Sequence, residues 1–215
     1  MQDTYRHKGL RKRLIDTLYQ KGIRDERILQ AFDRVPRHLF LDKAFEEWAY
    51  TDKAFPIGNK QTISQPYTVA YQTDLLEIKR RDKVLEIGKG SGFQAAILAT
   101  LGATVLTVER QALLYKKTSS LLNELGFTNI RTFLKDGMNG LPIYAPFDKI
   151  IVTAAAREIP IALLSQLKIG GILIIPIGQE RQQMCKIIKE SAKQYKRIYL
   201  DYFKFVPLLK GLNKD

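Results

Sequence analysis

Apolar residues recur at helical spacing near the start of the chain, at Leu10, Leu14, Ile15 and Leu18, and Gly22 follows where such a helix would stop. A second helix is expected from Asp25, whose side chain can cap it, with Ile28, Leu29 and Phe32 inward and Pro36 ending it. After V-P-R-H-L-F-L a third, short helical patch spans Ala44 to Trp48. From Tyr50 to Ala70 the period is lost. This stretch carries Pro56, Gly58 and Pro66 and reads as a long functional loop, with a helix resuming from about Thr68 to Glu77.

Beyond the polar turn Arg80–Arg81–Asp82 the pattern changes. Short apolar runs suited to buried strands, at Val84 to Ile87, Thr104 to Val108, Ile130 to Leu134, Phe147 to Thr153 and Gly170 to Ile177, are separated by helical runs. Those helices are expected at Phe93 to Ala99, at Gln111 to Leu125 with Gly126 as the stop, and at about Ile159 to Leu167. The tail alternates more openly, at Gln183 to Ile188 and Lys196 to Phe205, which suits an antiparallel pair closing the sheet. The expected fold class is α/β: a doubly wound, Rossmann-like sheet, mostly parallel, with N-terminal helices before it. The chain reads as one domain, with residues 1–80 a helical cap and substrate loop and 81–215 the ligand-binding core.

Charge changes this picture only a little. Lys plus Arg exceed Asp plus Glu by 35 − 22 = 13, but the excess is spread along the chain. That favours solubility and general attraction to acidic partners over a dedicated nucleic-acid stripe, so no specific nucleic-acid partner is expected. A lone cysteine, Cys185, permits no internal disulfide and makes no metal site by itself. No apolar run approaches the ~18 residues of a membrane span. The N-terminal charges are followed by no apolar block, so no signal peptide is read and a soluble, cytoplasmic protein is expected; a monomer is expected as well.

The candidate chemistry gathers at V-L-E-I-G-K-G-S-G-F-Q-A-A, Val84 to Ala96: strand, glycine turn, helix. In a doubly wound sheet ligands sit beyond the carboxyl ends of the strands, near the reversal in strand order. Glu86 to Gly92, Glu109, Asp136 with Gly137, and Thr153 all fall at predicted strand ends and can converge there. Gly88 and Gly90 would admit a ligand to bare backbone, Lys89 and Ser91 standing between, and Gly92 would allow close helix packing. Glu109 lies roughly 20 residues on, where a carboxylate can accept ribose hydroxyls, and Asp136 could accept an adenine amino hydrogen. A dinucleotide fingerprint would read G-x-G-x-x-G and a P-loop would supply G-K-[ST] after four spacers; neither fits. Glu86, two positions before the first glycine, would repel a pyrophosphate but suits the cationic end of S-adenosylmethionine (AdoMet), the cofactor this pattern favours.

The segments V-P-R-H-L-F, A-Y-T-D-K-A-F-P-I-G, Q-T-I-S-Q-P-Y, V-L-E-I-G-K-G-S-G-F-Q-A-A, A-P-F-D-K-I-I-V-T-A-A-A and L-K-I-G-G-I-L-I-I-P-I-G, in that order, resemble the protein-L-isoaspartate O-methyltransferases. The resemblance implies a class I methyltransferase fold and methyl transfer from AdoMet, leaving S-adenosylhomocysteine, to the α-carboxylate of isoaspartyl residues in damaged proteins. It makes Ser64 the catalytic serine and places Ile63, Gln65, Thr153, Ala154 and Ala155 at the peptide site. His38 is expected to be structural, since no neighbouring motif gives it a partner. Two positions depart from the family pattern: Lys89 replaces a small threonine-like residue and Lys135 a glycine. Both should weaken AdoMet binding unless they point outward; Lys89 could instead meet the methionine carboxylate of AdoMet, but a solvent-facing side chain is the default for a lysine. Two other readings are a nucleic-acid methyltransferase, disfavoured by the small V-T-A-A-A after the fourth strand, and an inactive AdoMet-binding homologue.

Overall fold

The computed structural model of the chain describes residues 3–213. Helix α1 (Tyr5–Gln20) opens with a reciprocal cap: the Thr4 hydroxyl accepts from His7 N, and His7 Nδ1 accepts from Thr4 N, each at 3.3 Å. Leu14 and Leu18 are its buried apolar positions. Helix α2 (Glu26–Arg34) is capped by Asp25, which accepts from Arg27 N at 2.9 Å, and it buries Ile28, Ala31 and Phe32. The third helical patch is a 3-10 helix, Lys43–Trp48.

The long expected loop is more ordered than its sequence suggests. It contains a small hairpin, β1 (Phe55–Gly58) and β2 (Gln61–Ile63), whose two turn residues, Asn59 and Lys60, both adopt positive φ, 49° and 58°. That is the backbone of the tight turn that matches strand twist. Helix α3 (Pro66–Leu76) begins two residues earlier than expected, because Pro66 occupies its first turn, where a missing N–H leaves nothing unsatisfied.

The main sheet is built from β3 (Lys83–Ile87), β4 (Thr104–Glu109), β5 (Ile130–Leu134), β6 (Phe147–Val152), β7 (Leu167–Ile177), β8 (Gln182–Lys189) and β9 (Tyr195–Phe203). Their order is β5-β4-β3-β6-β7-β8-β9. Pairings from β5 to β7 are parallel, and β8 is antiparallel to both β7 and β9. Helices α4 (Phe93–Thr100), α5 (Ala112–Glu124) and α6 (Ile161–Ser165) connect the parallel strands. The chain steps outward from β3 to β4 and β5, then returns to β6 on the other side of β3. The reversal in strand order therefore falls between β3 and β6, where a doubly wound sheet opens a ligand crevice.

Successive β3 residues face opposite sides, and each side has its own core. Val84 packs with Leu14, Phe32, Val69 and Ile97 under the helices, whereas Leu85 and Ile87 join Leu106, Ile150, Leu163 and Leu173. Each such buried aliphatic side chain is worth roughly 1.5–3 kcal/mol relative to an exposed one. The second face is covered mainly by short pieces: 3-10 turns at Gly137–Asn139 and Pro142–Tyr144, and α6. Helix α6 is shorter than the expected Ile159 to Leu167, because Pro160 stands at its N-cap and β7 takes up Leu167.

Glu86 is the exception inside this apolar strand. It is fully buried, its Oε2 accepts from the hydroxyl of Thr107 in the adjacent register position, and its Oε1 has no partner. Burial pushes its pKa up from 4.5 to about 8, against the opposing pull of the Thr107 hydrogen bond and the Lys89 charge. The folded state thus holds a proton that the unfolded chain releases above about pH 4.5. Stability from this group is full below that pH and declines as pH rises toward 8. Glu86→Gln, which keeps the shape without the ionisation, is expected to flatten this decline; urea unfolding at pH 5 and pH 8 measures it, and an unchanged slope would contradict the assignment.

Candidate active site

A cleft lies at the carboxyl ends of β3, β4 and β6. Its floor is the turn Gly88–Gly92, which leaves β3 and feeds α4. Gly88 has φ 97°, and a Cβ there would sit 2.6 Å from Thr153 Oγ1, so only glycine fits beneath the Thr153 hydroxyl. That hydroxyl donates to Gly88 O at 2.6 Å and ties the end of β6 to the turn. Gly92, at φ 84°, would drive a Cβ within 2.7 Å of Thr118 Cγ2 on α5; it is the close-packing glycine between turn and helix.

Glu109 ends β4 and is almost buried. Its Oε2 accepts from Gly90 N at 3.0 Å, and its Oε1 accepts from Arg110 N and Gln111 N at 2.8 and 2.9 Å. Three backbone donors fix the carboxylate on the cleft wall, and each oxygen still offers lone-pair directions to a hydroxyl. From the opposite side, Thr118 Oγ1 donates to Gly90 O at 2.7 Å. The glycine turn is gripped between a neighbouring strand and a helix.

Of the residues singled out from sequence, Ile63, Ser64, Gly88, Lys89, Gly90, Ser91, Glu109, Gly137, Thr153 and Ala154 line this cleft. Glu86 does not: alternation along β3 sends it into the sheet interior beside Thr107. Gly92 lies just behind the lining, packed on α5. Asp136 also stands back. Its Oδ1 caps the following turn at Met138 N and its Oδ2 accepts from Gly211 N at 2.8 Å. Ala155 uses its backbone to hold the C-terminal segment, through Ala155 N to Val206 O and Leu208 N to Ala155 O, both 2.8 Å. Lys135 is exposed as expected of a lysine; Lys89 is not, with 2% of its surface accessible.

Ser64 and Gln65 follow β2. Ser64, with Thr62, Thr153 and Val206, lines both this cleft and a second groove that continues past Gln65, Tyr67 and Thr68 toward Arg181, Tyr202 and Lys204. The serine therefore stands on the wall shared by the cleft and the groove. His38 is remote from both: it is fully buried, stacked on His7 at 3.9 Å, with Nδ1 paired to the Tyr50 hydroxyl at 2.8 Å. Burial lowers its pKa to about 4, as suits a neutral structural histidine.

Three features went unread in the sequence. Asp52 accepts from Gln65 Nε2 at 2.9 Å, Tyr67 N at 2.8 Å and Lys21 Nζ at 2.6 Å, and so holds the Gln65 side chain and the Tyr67 backbone on either side of Pro66, next to Ser64. Arg37, 1% exposed, donates to Ala49 O and Lys53 O and holds the segment that carries Asp52. Both lie in motifs noted above, but their hydrogen-bond partners are carbonyls and amides that no spacing rule reveals. The third is the strap Val206–Leu209, which closes one side of the cleft. Beyond it, Arg110 Nε donates to Gly211 O at 2.9 Å, extending the attachment.

The sequence model of the protein-L-isoaspartate(D-aspartate) O-methyltransferase family matches residues 9–213. A protein-L-isoaspartate O-methyltransferase of Flavobacterium psychrophilum is 57% identical, and one of Christiangramia forsetii 55%; each alignment covers 99% of this chain and 100% of the relative. Among solved structures, a protein-L-isoaspartate O-methyltransferase superposes with a TM-score of 0.86 at 29% identity, over 94% of this chain and 67% of the other. A Plasmodium falciparum structure, described as a protein-L-isoaspartate O-methyltransferase in complex with S-adenosyl-L-homocysteine, has the same fold: TM-score 0.81, 24% identity, 93% and 98% coverage. By sequence and by fold, this chain belongs to the protein-L-isoaspartate(D-aspartate) O-methyltransferase family.

Proposed function

We infer that this chain transfers a methyl group from AdoMet to the α-carboxylate of L-isoaspartyl residues in damaged proteins. The observation that carries this reading is the wall shared by the two cavities, Thr62, Ser64, Thr153 and Val206. A cofactor held on one side of it can meet a peptide carboxylate presented from the other. The cleft suits AdoMet in its chemistry. Gly88 and Gly90 offer bare backbone, and Glu109 offers a fixed carboxylate for ribose hydroxyls. The wall near Gly137 and the strap is apolar at Val108, Leu208 and Leu209, as an adenine ring requires.

AdoMet supplies an already activated methyl group. A substrate carboxylate has a pKa near ~4 and is ionised at neutral pH, so it needs no general base. What remains for the protein is alignment and exclusion of water. On this reading Ser64 Oγ donates a hydrogen bond to the carboxylate and orients it. Asp52 holds the Gln65 side chain and Tyr67 N just after Ser64, and the strap shields the cofactor side. The outer groove, with Tyr202, Arg181 and Lys204 on its rim, is open enough for a flanking stretch of polypeptide. Among the described residues no helix is long and apolar enough to cross a membrane; we place the reaction in the cytoplasm.

An isoaspartyl peptide incubated with AdoMet is expected to yield a base-labile methyl ester, and the matching aspartyl peptide none; equal labelling of both would contradict the substrate assignment. Ser64→Ala is expected to lower kcat roughly 10- to 100-fold, the scale of a misaligned reactant, with AdoMet affinity kept. Loss of cofactor binding instead would reassign the serine. Asp52→Ala leaves Gln65 Nε2 and Tyr67 N without their acceptor. It is expected to cost about 1–3 kcal/mol of stability and to reduce kcat with little change in KM for AdoMet, as read by denaturation and steady-state kinetics; wild-type turnover would remove Asp52 from this role.

A further inference from the structure

Gln94, the second residue of α4, lines the cofactor cleft with Val69 and Phe93 and is 6% exposed. Its amide cannot turn freely. The Thr73 hydroxyl on α3 spends its one hydrogen on Val69 O at 2.7 Å, so toward Gln94 it can only accept, and Nε2 donates to it at 2.9 Å. That fixes which way round the amide lies and leaves Oε1 as the end it can offer. Oε1 is buried and has no hydrogen-bond partner among the described residues. A buried acceptor without a donor carries the full cost of leaving water, and native structures answer such a group with protein, water or ligand.

Four buried side-chain atoms lack a partner among the described residues, on Arg37, His38, Glu86 and Gln94, and of these residues Gln94 is the one that lines the cleft. The other parts of AdoMet already have their places on the reading above: the ribose at Glu109, the adenine at Val108, Leu208 and Leu209, and the sulfur at the wall of Thr62, Ser64 and Thr153. The amino acid end remains. Its α-ammonium is protonated at neutral pH and needs an acceptor. The acid that motif spacing offers for it, Glu86, is turned into the sheet and keeps its own proton there.

Resting on that AdoMet reading, we propose that Gln94 is a cofactor-binding residue whose Oε1 accepts a hydrogen bond from the α-ammonium at the amino acid end of the ligand. Thr73 is then a positioning residue, since its hydroxyl sets the orientation of the amide. The same bond serves AdoMet and S-adenosylhomocysteine, because both carry that end. Held at the ribose on one side of the sulfur and at the ammonium on the other, the methyl group has little freedom to swing away from the wall at Ser64.

A purely structural brace between α3 and α4 would behave differently. Removing such a brace disturbs the cleft for every ligand, whereas removing an acceptor for the ammonium weakens only ligands that carry one. Methylthioadenosine keeps the adenosine and thioether of S-adenosylhomocysteine but lacks the amino acid end. The test is calorimetric titration of the full chain at pH 7 with each of the two, for the parent and Gln94→Leu. The variant is expected to bind S-adenosylhomocysteine about 10- to 100-fold more weakly, the scale of one hydrogen bond to a charged group, and methylthioadenosine as the parent does. Should the leucine variant fail to fold, Gln94→Met carries the same comparison. Equal losses for the two ligands, or no loss for either, overturn the proposal while leaving the cofactor reading intact. A parent chain that binds neither ligand overturns the cofactor reading and this inference with it.

Discussion

The hydrogen bond from Gly90 N to Glu109 Oε2 joins the ends of two adjacent strands across the mouth of the sheet, and the site is built outward from it. It fixes the turn after β3 and the carboxylate after β4 in one geometry. Thr153 adds the end of β6 through its bond to Gly88 O, and Thr118 adds α5 through its bond to Gly90 O. Four elements thus converge on five residues, Gly88–Gly92. Side chains larger than hydrogen at Gly88 or Gly92 would strike Thr153 or Thr118, so sequence and topology constrain each other at this point.

The groove side of the shared wall is built on a separate chain of contacts. Arg37 is buried without a carboxylate partner among its hydrogen bonds, and burial lowers its pKa to about 9. It is retained for the carbonyls it satisfies at Ala49 and Lys53, which present Asp52 to Gln65 and Tyr67. The N-terminal helices are therefore more than a cover: they brace the segment that brings Ser64 to the cleft. Because the nucleophile arrives already ionised and the methyl donor already activated, a site that only positions is sufficient. The two histidines accordingly take no part in it: they stack on each other in the N-terminal core, and neither lines the cleft.

Most of the core was legible from sequence, because its signals are local. Strands β3 to β6 are short apolar runs, and α4 and α5 carry clear helical periods, with Gly126 as a stop. The hairpin was not legible: its strands have four and three residues, Pro56 interrupts the first, and their half-buried alternation is too brief to register. Pro66 was read as part of a loop although it starts a helix. The strap after Phe205 has no period at all and is held by partners far away in sequence, Ala155, Arg110 and Asp136. Lys89 was expected in solvent on the general habit of lysines; only the tertiary placement of Tyr115 and Ser119 makes its burial tolerable. Glu86 shows the same limit, since motif spacing brought it to the rim while strand alternation turned it inward.

The most direct test of the account is a crystal structure of this chain with S-adenosylhomocysteine and an isoaspartyl peptide bound together. The account predicts the adenosine against Glu109 and the strap, and the peptide in the groove beside Tyr202. The sulfur and the isoaspartyl α-carboxylate should then meet across Thr62, Ser64 and Thr153, with Ser64 Oγ bonded to the carboxylate. A peptide carboxylate bound away from that shared wall, or a cofactor seated outside the glycine turn, would contradict it.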